Sequence, residues 1–402
     1  MQGRTLEEWA RQLKDEEEIN WLYRPFSRCL KCNCLLEKTE PTLDVPPLIR
    51  ESVSDFWFCA NCSQMFWQGS HTDRMRERLK EWQKDVVLTI GLGGDLMIGR
   101  SVNAYLDRHP SFSIWGNLHS VLSKTDFNIV NLETALTRSD KILPKVYHFK
   151  ADPEKVSQLL KGPIHAVNLA NNHILDFSKE GLIETIQTLD LAKIPHVGAG
   201  SNLIHAKSSV ILEKNGIKIG LLGCTDNEPS WLATEKKPGT FFVSIDDLTS
   251  LRESIESLRR KVDFIILSIH WGPNMRKRPL DAQRAFAHEL VNLGVDIIHG
   301  HSAHIFQGIE IYKKKAIFYD TGDLVDDYAI DPILRNDRSF FFIVEIDRKG
   351  LRKIRLIPTC ISDFQVNIVK GKEREEMFFE MQNLSKEFQT ILQVQNEELV
   401  LN

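Results

Sequence analysis

Past Lys84 the sequence alternates short apolar runs with amphipathic stretches, and this alternation is the strongest constraint on its fold. The runs include VVLTIGL, FNIVNL, HAVNLA, FIILSI and DIIHG, while residues 281–293 repeat with a helical period. Such alternation is typical of an α/β fold with buried strands. Hairpins are expected at Asn215-Gly216 and near Arg348-Gly350. The sequence therefore predicts a large α/β domain over residues 84–360.

Five motifs with ligand-type side chains directly follow these apolar runs. The carboxyl ends of strands in an open α/β sheet meet at one edge, so we expect the five motifs to form one site. Their mixture of carboxylate, amide and imidazole groups favours manganese, iron or zinc over magnesium alone. The motifs are GGD (93–95), NLE (131–133), NLANNHILD (168–176), HWG (270–272) and GHSAH (300–304). The predicted metal ligands are Asp95, Glu133, Asn172, His270, His301 and His304.

Two further residues of the third motif are predicted to be catalytic. A bound metal lowers the pKa of its water and polarises a carbonyl or phosphoryl oxygen. His173 follows the predicted ligand Asn172, where it can act as general acid or base. Asp176, three residues on, is expected to fix the tautomer of that imidazole.

The five motifs, in this order, resemble those of the CapA family of poly-γ-glutamate capsule proteins, a branch of the calcineurin-like metallophosphoesterase superfamily. The resemblance runs from about Val86 to Pro358 and includes VEIDRKGLRKIRLIP. It implies a four-layer α-β-β-α sandwich with one or two divalent transition metals (Mn, Fe or Zn). It also implies that Asn172 binds metal while His173 protonates the leaving group.

The sequence departs from this family's pattern at several positions. The superfamily's Asp-x-His stands here as Asp95-Leu96-Met97, so one imidazole of the second metal is missing. GHHPH appears as GHSAH, Pro273-Asn274 replace a usual glutamate, and SLGNF appears as DTGDL, which adds Asp320 and Asp323. These two aspartates are expected to contact substrate or to cap turns. Arginines can bind a substrate carboxylate or phosphate through forked hydrogen bonds. The candidates for this role are Arg276, Arg278, Arg335 and Arg338.

The N-terminal part carries two C-x-x-C pairs, Cys29/Cys32 and Cys59/Cys62. Four thiolates on two turns suit one structural zinc ion with no open position for catalysis. We expect a helix within residues 1–23 and a zinc ribbon over 24–83. Cys34 is predicted to be a spare thiol.

The stretches RCLKCNCLLE, VPPLI, FWFCANC and FWQGSHTDRM resemble the zinc-ribbon half of the Mut-seven C-terminal RNase domain, over about residues 24–78. That family's acidic nuclease half should precede the ribbon, so we do not expect nuclease activity. Cations and aromatic faces of the ribbon are candidates for binding single-stranded nucleic acid, or else they cover a small zinc core. They are Arg28, Lys31, Trp57, Trp67, His71, Arg74, Arg76 and Arg78.

Charge and hydropathy limit the other classes of function. The net charge of -4 gives no global field that would hold nucleic acid, so any basic face must be local. No stretch reaches about 18 consecutive apolar residues, and no signal peptide is apparent, so we predict a cytoplasmic protein without a membrane partner. The last residues, 361–402, are predicted to form a helical tail, with the helix over about 373–394.

Three functions remain open from the sequence. The first is a metal-dependent hydrolase of an amide, either γ-glutamyl or peptide, or of a phosphoester, acting on a small molecule, a peptide or a polyglutamate. The second is a metal-dependent peptide epimerase on the same scaffold. The third is a zinc-ribbon RNA-binding protein whose metal domain is slow or vestigial. Carbon and phosphorus electrophiles need the same metal, so composition does not separate them.

Overall fold

The computed structural model describes residues 5–402, except for the side chain of Asp15. The chain divides into two compact units, residues 1–86 and 87–402. Each unit contains its own sheet and buried side chains, so each is described separately.

The smaller unit combines helices with a short antiparallel sheet. In α1, Thr5 accepts from the backbone N–H of Glu8, whose carboxylate accepts from Thr5 N, as the capping-box pattern predicts. The first four residues of the expected 1–23 helix lie outside the described residues. The sheet order is β1-β2-β3. The elements are α1 (Leu6–Glu16), β1 (Glu37–Thr39), α2 (Pro47–Ser52), β2 (Phe56–Cys59), β3 (Gln64–Trp67) and α3 (Ser70–Gln83).

The larger unit alternates strands and helices. Its helices are α4 (Arg100–Arg108), α5 (His119–Leu122), α6 (Val156–Lys161), α7 (Ser178–Leu191), α8 (Leu203–Ala206), α9 (Thr249–Arg259), α10 (Asp281–Asn292) and α11 (Gly371–Lys386). Its strands are β4 (Leu88–Leu96), β5 (Phe127–Leu132), β6 (Ala135–Leu136), β7 (Lys150–Ala151), β8 (Ala166–Asn168), β9 (His196–Val197), β10 (Ala199–Gly200), β11 (Val210–Lys214), β12 (Ile217–Thr225), β13 (Gly239–Thr240), β14 (Phe264–His270), β15 (Ile297–His301), β16 (Ile309–Tyr312), β17 (Lys315–Phe318), β18 (Asp323–Val325), β19 (Arg338–Asp347), β20 (Gly350–Ser362), β21 (Gln365–Ile368), β22 (Gln393–Gln395) and β23 (Glu398–Leu401).

Two large mixed sheets organise this unit. The first has the order β22-β23-β20-β19-β4-β5-β8-β9, with β18 added beside β4 and β21 beside β20. The second has the order β11-β12-β14-β15-β17-β16. Strands β4, β5 and β8 are parallel in the first sheet, as are β12, β14 and β15 in the second. Their carboxyl ends are therefore the edges at which a site can form.

The two sheets pack face to face and helices cover their outer faces. Between the sheets, the rings of Phe318 and Phe342 lie 5.1 Å apart, and His299 contacts the carbonyl of Gly93. Apolar side chains of α4 and α7 pack on the first sheet, and those of α9 and α10 on the second. The predicted four-layer α-β-β-α arrangement is confirmed.

The local turns follow the sequence, whereas the C-terminal segment differs from the prediction. Asn215 and Gly216 have φ values of 54° and 74°, which is the left-handed backbone that joins β11 to β12 in a tight hairpin. The C-terminal helix ends at Lys386 instead of near residue 394. Strand β23 then pairs with β20, because its apolar side chains Leu399 and Val400 become buried when the segment extends the sheet. Among the described residues, no helix combines the length and apolarity needed to cross a bilayer.

Candidate metal centre

The predicted ligands gather where parallel strands of both sheets end. Asp95 is the penultimate residue of β4, and Glu133 directly follows β5. His270 and His301 are the last residues of β14 and β15 and stand opposite each other in register. The parallel pairing aligns these ends, so the apolar runs that form the strands also bring the polar residues together.

Asp95 lies between two groups of donor atoms. Asp95, His270 and His301 form the first group, and Asp95, Glu133 and His304 form the second. Within each group, the donor atoms lie within 4.8 Å of one another. The Oδ1 atom of Asp95 is 3.9 Å from His270 Nδ1 and 3.7 Å from His301 Nδ1. Its Oδ2 atom is 3.4 Å from His304 Nδ1. This geometry offers room for one or two cations that share the Asp95 carboxylate.

Three predicted ligand atoms are buried without a hydrogen-bond partner among the described residues. They are Glu133 Oε1, Asn172 Oδ1 and His270 Nε2. The first and last lie 3.9 Å apart. An unpaired buried polar atom costs about 1–3 kcal/mol. Oxygen and imidazole donors left open in this way fit a divalent transition metal.

The ionisation of the buried groups is also consistent with a cation. Burial lowers the pKa of His270 to about 3 and that of His301 well below its usual value, so both imidazoles are neutral donors. Burial and the charge of Asp95 raise the pKa of Glu133. Burial opposes the ionisation of Asp95, but the hydrogen bond from His304 and the interactions with the neighbouring imidazoles outweigh burial and lower its pKa overall. A metal would favour the ionised form of Glu133.

His173 is oriented for proton transfer. Its Nδ1 atom lies 2.6 Å from Asp176 Oδ2, and its Nε2 atom lies 3.7 Å from Glu133 Oε1, on the side of the ligand groups. The backbone N–H of Phe149 donates to Asp176 Oδ2 and holds that carboxylate in place. Because Asp176 accepts a hydrogen bond from Nδ1–H, the unprotonated Nε2 faces Glu133. The structure thus brings His173 and Asp176 together in the predicted arrangement.

The predicted substrate-binding residues are placed differently. Arg278 forms a forked ion pair with Glu387, at 2.8 Å from Nε and 2.6 Å from Nη2, so its donors are already used. Asp320 accepts from the backbone N–H groups of Ala303 and Gly322 at 2.6 and 2.8 Å, and it holds the GHSAH loop. Arg278 and Asp320 thus already have partners within the chain, and their contact with a substrate stays a prediction.

The other predicted substrate-binding residues also differ in their contacts. Asp323 Oδ1 is 2.9 Å from His304 Nδ1, which makes Asp323 part of the centre's surroundings. Arg335 and Arg338 both pair with Glu373. Arg276 has an exposed side chain, and its carbonyl accepts from Gln307. Of the four predicted arginines, only Arg276 thus keeps an exposed guanidinium without an ion pair among the described residues.

Several residues that sequence reasoning missed support the centre. Ser268 Oγ contacts His301 Nε2 at 3.0 Å and His299 Nδ1 at 3.2 Å, so Nδ1 is the His301 atom that faces His270 and Asp95. Asn131 donates to Asp95 Oδ1 at 2.7 Å. Lys145 Nζ lies 3.2 Å from Asp176 Oδ1. Ser268 and Asn131 alternate with predicted ligands along their strands, a signal the sequence did contain, whereas nothing local indicated Lys145.

The four ribbon cysteines converge in the smaller unit. The sulfur atoms of Cys29 and Cys62 lie 3.8 Å apart, and those of Cys32 and Cys59 lie 3.4 Å apart. A tetrahedral zinc ion with bonds of about 2.3 Å requires a separation of about 3.8 Å. The backbone N–H of Cys34 helps to lower the pKa of Cys32 to about 5, while its own thiol stays exposed and outside the group. The cluster fits a zinc ribbon.

Beside the cysteines, the ribbon contains an aromatic cavity of about 250 Å³. Trp57 and Trp67 line it together with Phe26, Arg24 and Arg28. Other members of the predicted surface are engaged elsewhere: Arg78 pairs with Glu7, and Arg74 donates to the carbonyl of Ser70. Part of the predicted surface is therefore a cavity, and part of it is a solvated helix face.

In comparison with known proteins, each of the two units matches a protein family. Residues 89–328 match the family "Bacterial capsule synthesis protein PGA_cap", and residues 2–79 match the Mut7-C RNAse domain. A probable polyglutamine synthesis accessory protein of Mycobacterium tuberculosis is 28% identical over 351 residues, covering 75% of this chain and 92% of that protein. The capsule biosynthesis protein CapA of Bacillus anthracis is 30% identical over 246 residues, covering 60% of each chain.

Among solved structures, a phosphatase of Mycoplasma pneumoniae aligns with a TM-score of 0.43 at 16% identity, covering 68% of this chain and 94% of that one. The family match spans more than half of the chain and contains all the strand ends that form the candidate metal centre. The chain therefore belongs to the bacterial capsule synthesis protein family PGA_cap, with a Mut7-C-type zinc-ribbon module at its N-terminal side.

Proposed function

We propose that the larger unit is a metal-dependent hydrolase that cleaves an amide, of the γ-glutamyl or peptide type, or a phosphoester. The observation that carries this proposal is the set of three buried, unpartnered donor atoms on Glu133, Asn172 and His270. A purely structural site would pair these atoms with one another or with backbone groups. Oxygen and imidazole donors suit a divalent transition metal, so a bound ion can be the missing partner.

The residues have separate roles in this proposal. Those that would hold the metal are Asp95, Glu133, Asn172, His270, His301 and His304. When bound, a divalent ion supplies a polarising charge for the substrate oxygen and for the attacking water. His173 gives or takes a proton at Nε2, because Asp176 occupies its Nδ1 side. Lys145 beside Asp176 fixes the position of that carboxylate.

The names of the relatives favour the amide over the phosphoester. CapA of Bacillus anthracis is a capsule biosynthesis protein, and the mycobacterial relative is described as a polyglutamine synthesis accessory protein. The second name connects that relative to a polymer joined by amide bonds. An amide substrate also suits a neutral imidazole as the proton donor to the leaving nitrogen after it has accepted a proton from water.

The test begins with the metal content of the purified full chain, followed by a substrate panel in the presence of manganese. The panel contains γ-glutamyl peptides, phosphodiesters and phosphomonoesters, each also assayed with His270→Ala as the matched inactive control. We expect hydrolysis of γ-glutamyl peptides that disappears in the variant. Deuterium incorporation at an α-carbon without hydrolysis would replace the hydrolase by an epimerase. No turnover of any member would contradict the proposal.

A second function is favoured by the ribbon's aromatic cavity, where Trp57 and Trp67 lie beside Arg24 and Arg28. We propose that a structural zinc held by the four cysteines shapes this cavity and that the ribbon binds single-stranded nucleic acid through stacking and phosphate contacts. The full chain should bind single-stranded RNA with an affinity that falls as salt rises. Trp57→Ala should weaken that binding, and equal binding by the variant would contradict the proposal.

A further inference from the structure

Arg100 lies in the first turn of α4, a few residues after Asp95, and its side chain is held among aromatic rings. Its guanidinium carbon is 4.9 Å from the ring centre of Phe149, 5.8 Å from that of Tyr147 and 6.0 Å from that of Tyr328. Aromatic rings attract the planar face of a guanidinium through cation–π contacts. The N–H donors at the edges of the guanidinium stay available for hydrogen bonds. The Arg100 side chain is 35% exposed, so solvent or a ligand reaches it.

Two of these rings also contact the candidate metal centre. The ring of Phe149 lies 4.5 Å from that of His173, and the ring of Tyr328 lies 5.2 Å from that of His304. The two contacts of Phe149 together place the Arg100 guanidinium no more than about 10 Å from the His173 imidazole. A substrate at His173 that spans this distance can therefore contact Arg100.

The charge of Arg100 is only partly balanced inside the protein. Its one ion pair is with Asp327, at 3.4 Å between Nε and Oδ2, and that same oxygen accepts from the backbone N–H of Ser101 at 2.9 Å. In the part of the chain that the structure describes, no acceptor hydrogen-bonds the two Nη atoms. The residue also has a φ of 50°, a backbone conformation that side chains rarely adopt. The Nη edge is thus open for a planar anion.

We propose that Arg100 binds a carboxylate of the substrate through this open edge, about one side chain's length from the reacting carbonyl. The inference rests on the proposed amide hydrolysis. A glutamyl residue linked through its γ-carbonyl keeps an α-carboxylate four carbon–carbon bonds, or about 5 Å, from the amide carbon. A forked carboxylate–guanidinium pair adds about 4 Å, and the sum of about 9 Å lies within the upper limit of about 10 Å between Arg100 and His173.

A phosphate group can also bind a guanidinium fork, so the source of the anion has to be argued. One guanidinium balances the single charge of a carboxylate. The second charge of a phosphate would lie near Asp327, which already pairs with the guanidinium, and like charges repel. The arrangement therefore favours a carboxylate.

Two peptides that differ only in this carboxylate provide the test. They are γ-glutamylglycine and 4-aminobutanoylglycine. Each is titrated by calorimetry, in the presence of manganese, into the full chain that carries His173→Ala. This substitution suppresses turnover during the measurement. We expect γ-glutamylglycine to bind at least about tenfold more tightly, the effect of a charge-assisted forked hydrogen bond. Adding Arg100→Gln should remove this preference, and Arg100→Lys should keep only part of it, because lysine retains the charge without the fork.

Arg108→Gln, an exposed residue on the same helix, is the matched control and should keep the full preference. The proposal is overturned if the His173→Ala protein binds both peptides alike or binds neither, or if Arg100→Gln keeps the preference. Inorganic phosphate that binds through Arg100 while the peptides stay undistinguished would also overturn it. Unfolding temperatures show whether Arg100→Gln folds; if it does not, Arg100→Lys decides the question.

The two proposals fail separately. A preference that depends on Arg100, together with no hydrolysis by the unmutated chain, refutes the hydrolase and leaves the carboxylate site standing. Hydrolysis without any preference refutes the role of Arg100 and leaves the hydrolase standing.

Discussion

Replacing Gly94 by alanine tests whether the two strands that carry Asp95 and Asp323 must pack as closely as they do. An added Cβ at residue 94 would lie 1.7 Å from the carbonyl oxygen of Gly322 and 2.7 Å from its carbonyl carbon. Ordinary carbon–oxygen contacts are about 3.3 Å or longer. Because the clash is with backbone on both sides, β18 has to move by about 1.5 Å relative to β4.

This movement disturbs the centre directly. The backbone N–H of Asp95 donates to the Gly322 carbonyl at 2.9 Å, and Asp323 stands opposite Asp95 in the register of the two strands. Overpacking costs about 1–3 kcal/mol and the lost hydrogen bond about 1 kcal/mol. We therefore expect Gly94→Ala to lower the free energy of unfolding by about 2–4 kcal/mol. Displacing the groups around a bound metal typically weakens its affinity by about 10- to 100-fold.

Urea unfolding followed by circular dichroism measures the first quantity, and manganese titration of the folded protein measures the second. Gly93→Ala is the matched control, because its Cβ would meet Leu324 Cδ2 at 2.8 Å and Val130 Cγ1 at 3.1 Å, which are ends of flexible side chains. The control should lose less stability and keep its metal affinity. Wild-type stability and affinity in Gly94→Ala would refute the claim that this close approach shapes the centre.

Four further results are expected. His270→Ala should lose bound metal and activity while its circular dichroism stays unchanged; full metal occupancy would remove it from the ligand set. His173→Ala should keep the metal while kcat falls by about 10²- to 10⁴-fold, and an active variant would exclude proton transfer by this residue. Burial raises the pKa of Asp226 from 3.8 to about 6. The contribution of the protonated carboxyl group to folding stability is therefore complete below pH 3.8 and is lost as the pH rises through 6. In urea titrations, Asp226→Asn should thus leave the free energy of unfolding unchanged at pH 3.5 and raise it by about 2–3 kcal/mol at pH 8. Equal unfolding curves of the variant and the wild type at pH 8 would contradict the raised pKa. Cys59→Ser should remove one zinc per chain in metal analysis, whereas Cys34→Ser should remove none.

The metal centre was the most predictable part of the molecule. Asp95, Glu133, His270 and His301 each stand at or directly after the end of an apolar strand, and the structure brings their donor atoms together. This convergence was predictable because strand formation and the position of the candidate ligands are read from the same few residues, while metal binding by these residues stays a prediction. The cysteine pairs were predictable for the same reason, since each pair occupies one tight turn.

The surroundings of the centre were less predictable. Arg278 follows the HWG motif and looked suited to a substrate, yet its partner is Glu387, 109 residues further on. Nothing near either residue in the sequence indicates this pairing. The C-terminal segment was misjudged for a related reason, because its last residues form a strand only when β20 is beside them.

The sequence by itself thus determined the periodic pattern, the ligand types and their position at strand ends. These follow from interactions between residues close together in the chain, where backbone geometry sets the spacing. The tertiary structure alone decided which charged side chains remain open to a ligand. Among the described residues, the Nη edge of Arg100 has no hydrogen-bond partner and that of Arg278 has one. The ion-pair partners Asp327 and Glu387 lie more than a hundred residues away from these arginines, and only folding brings them there.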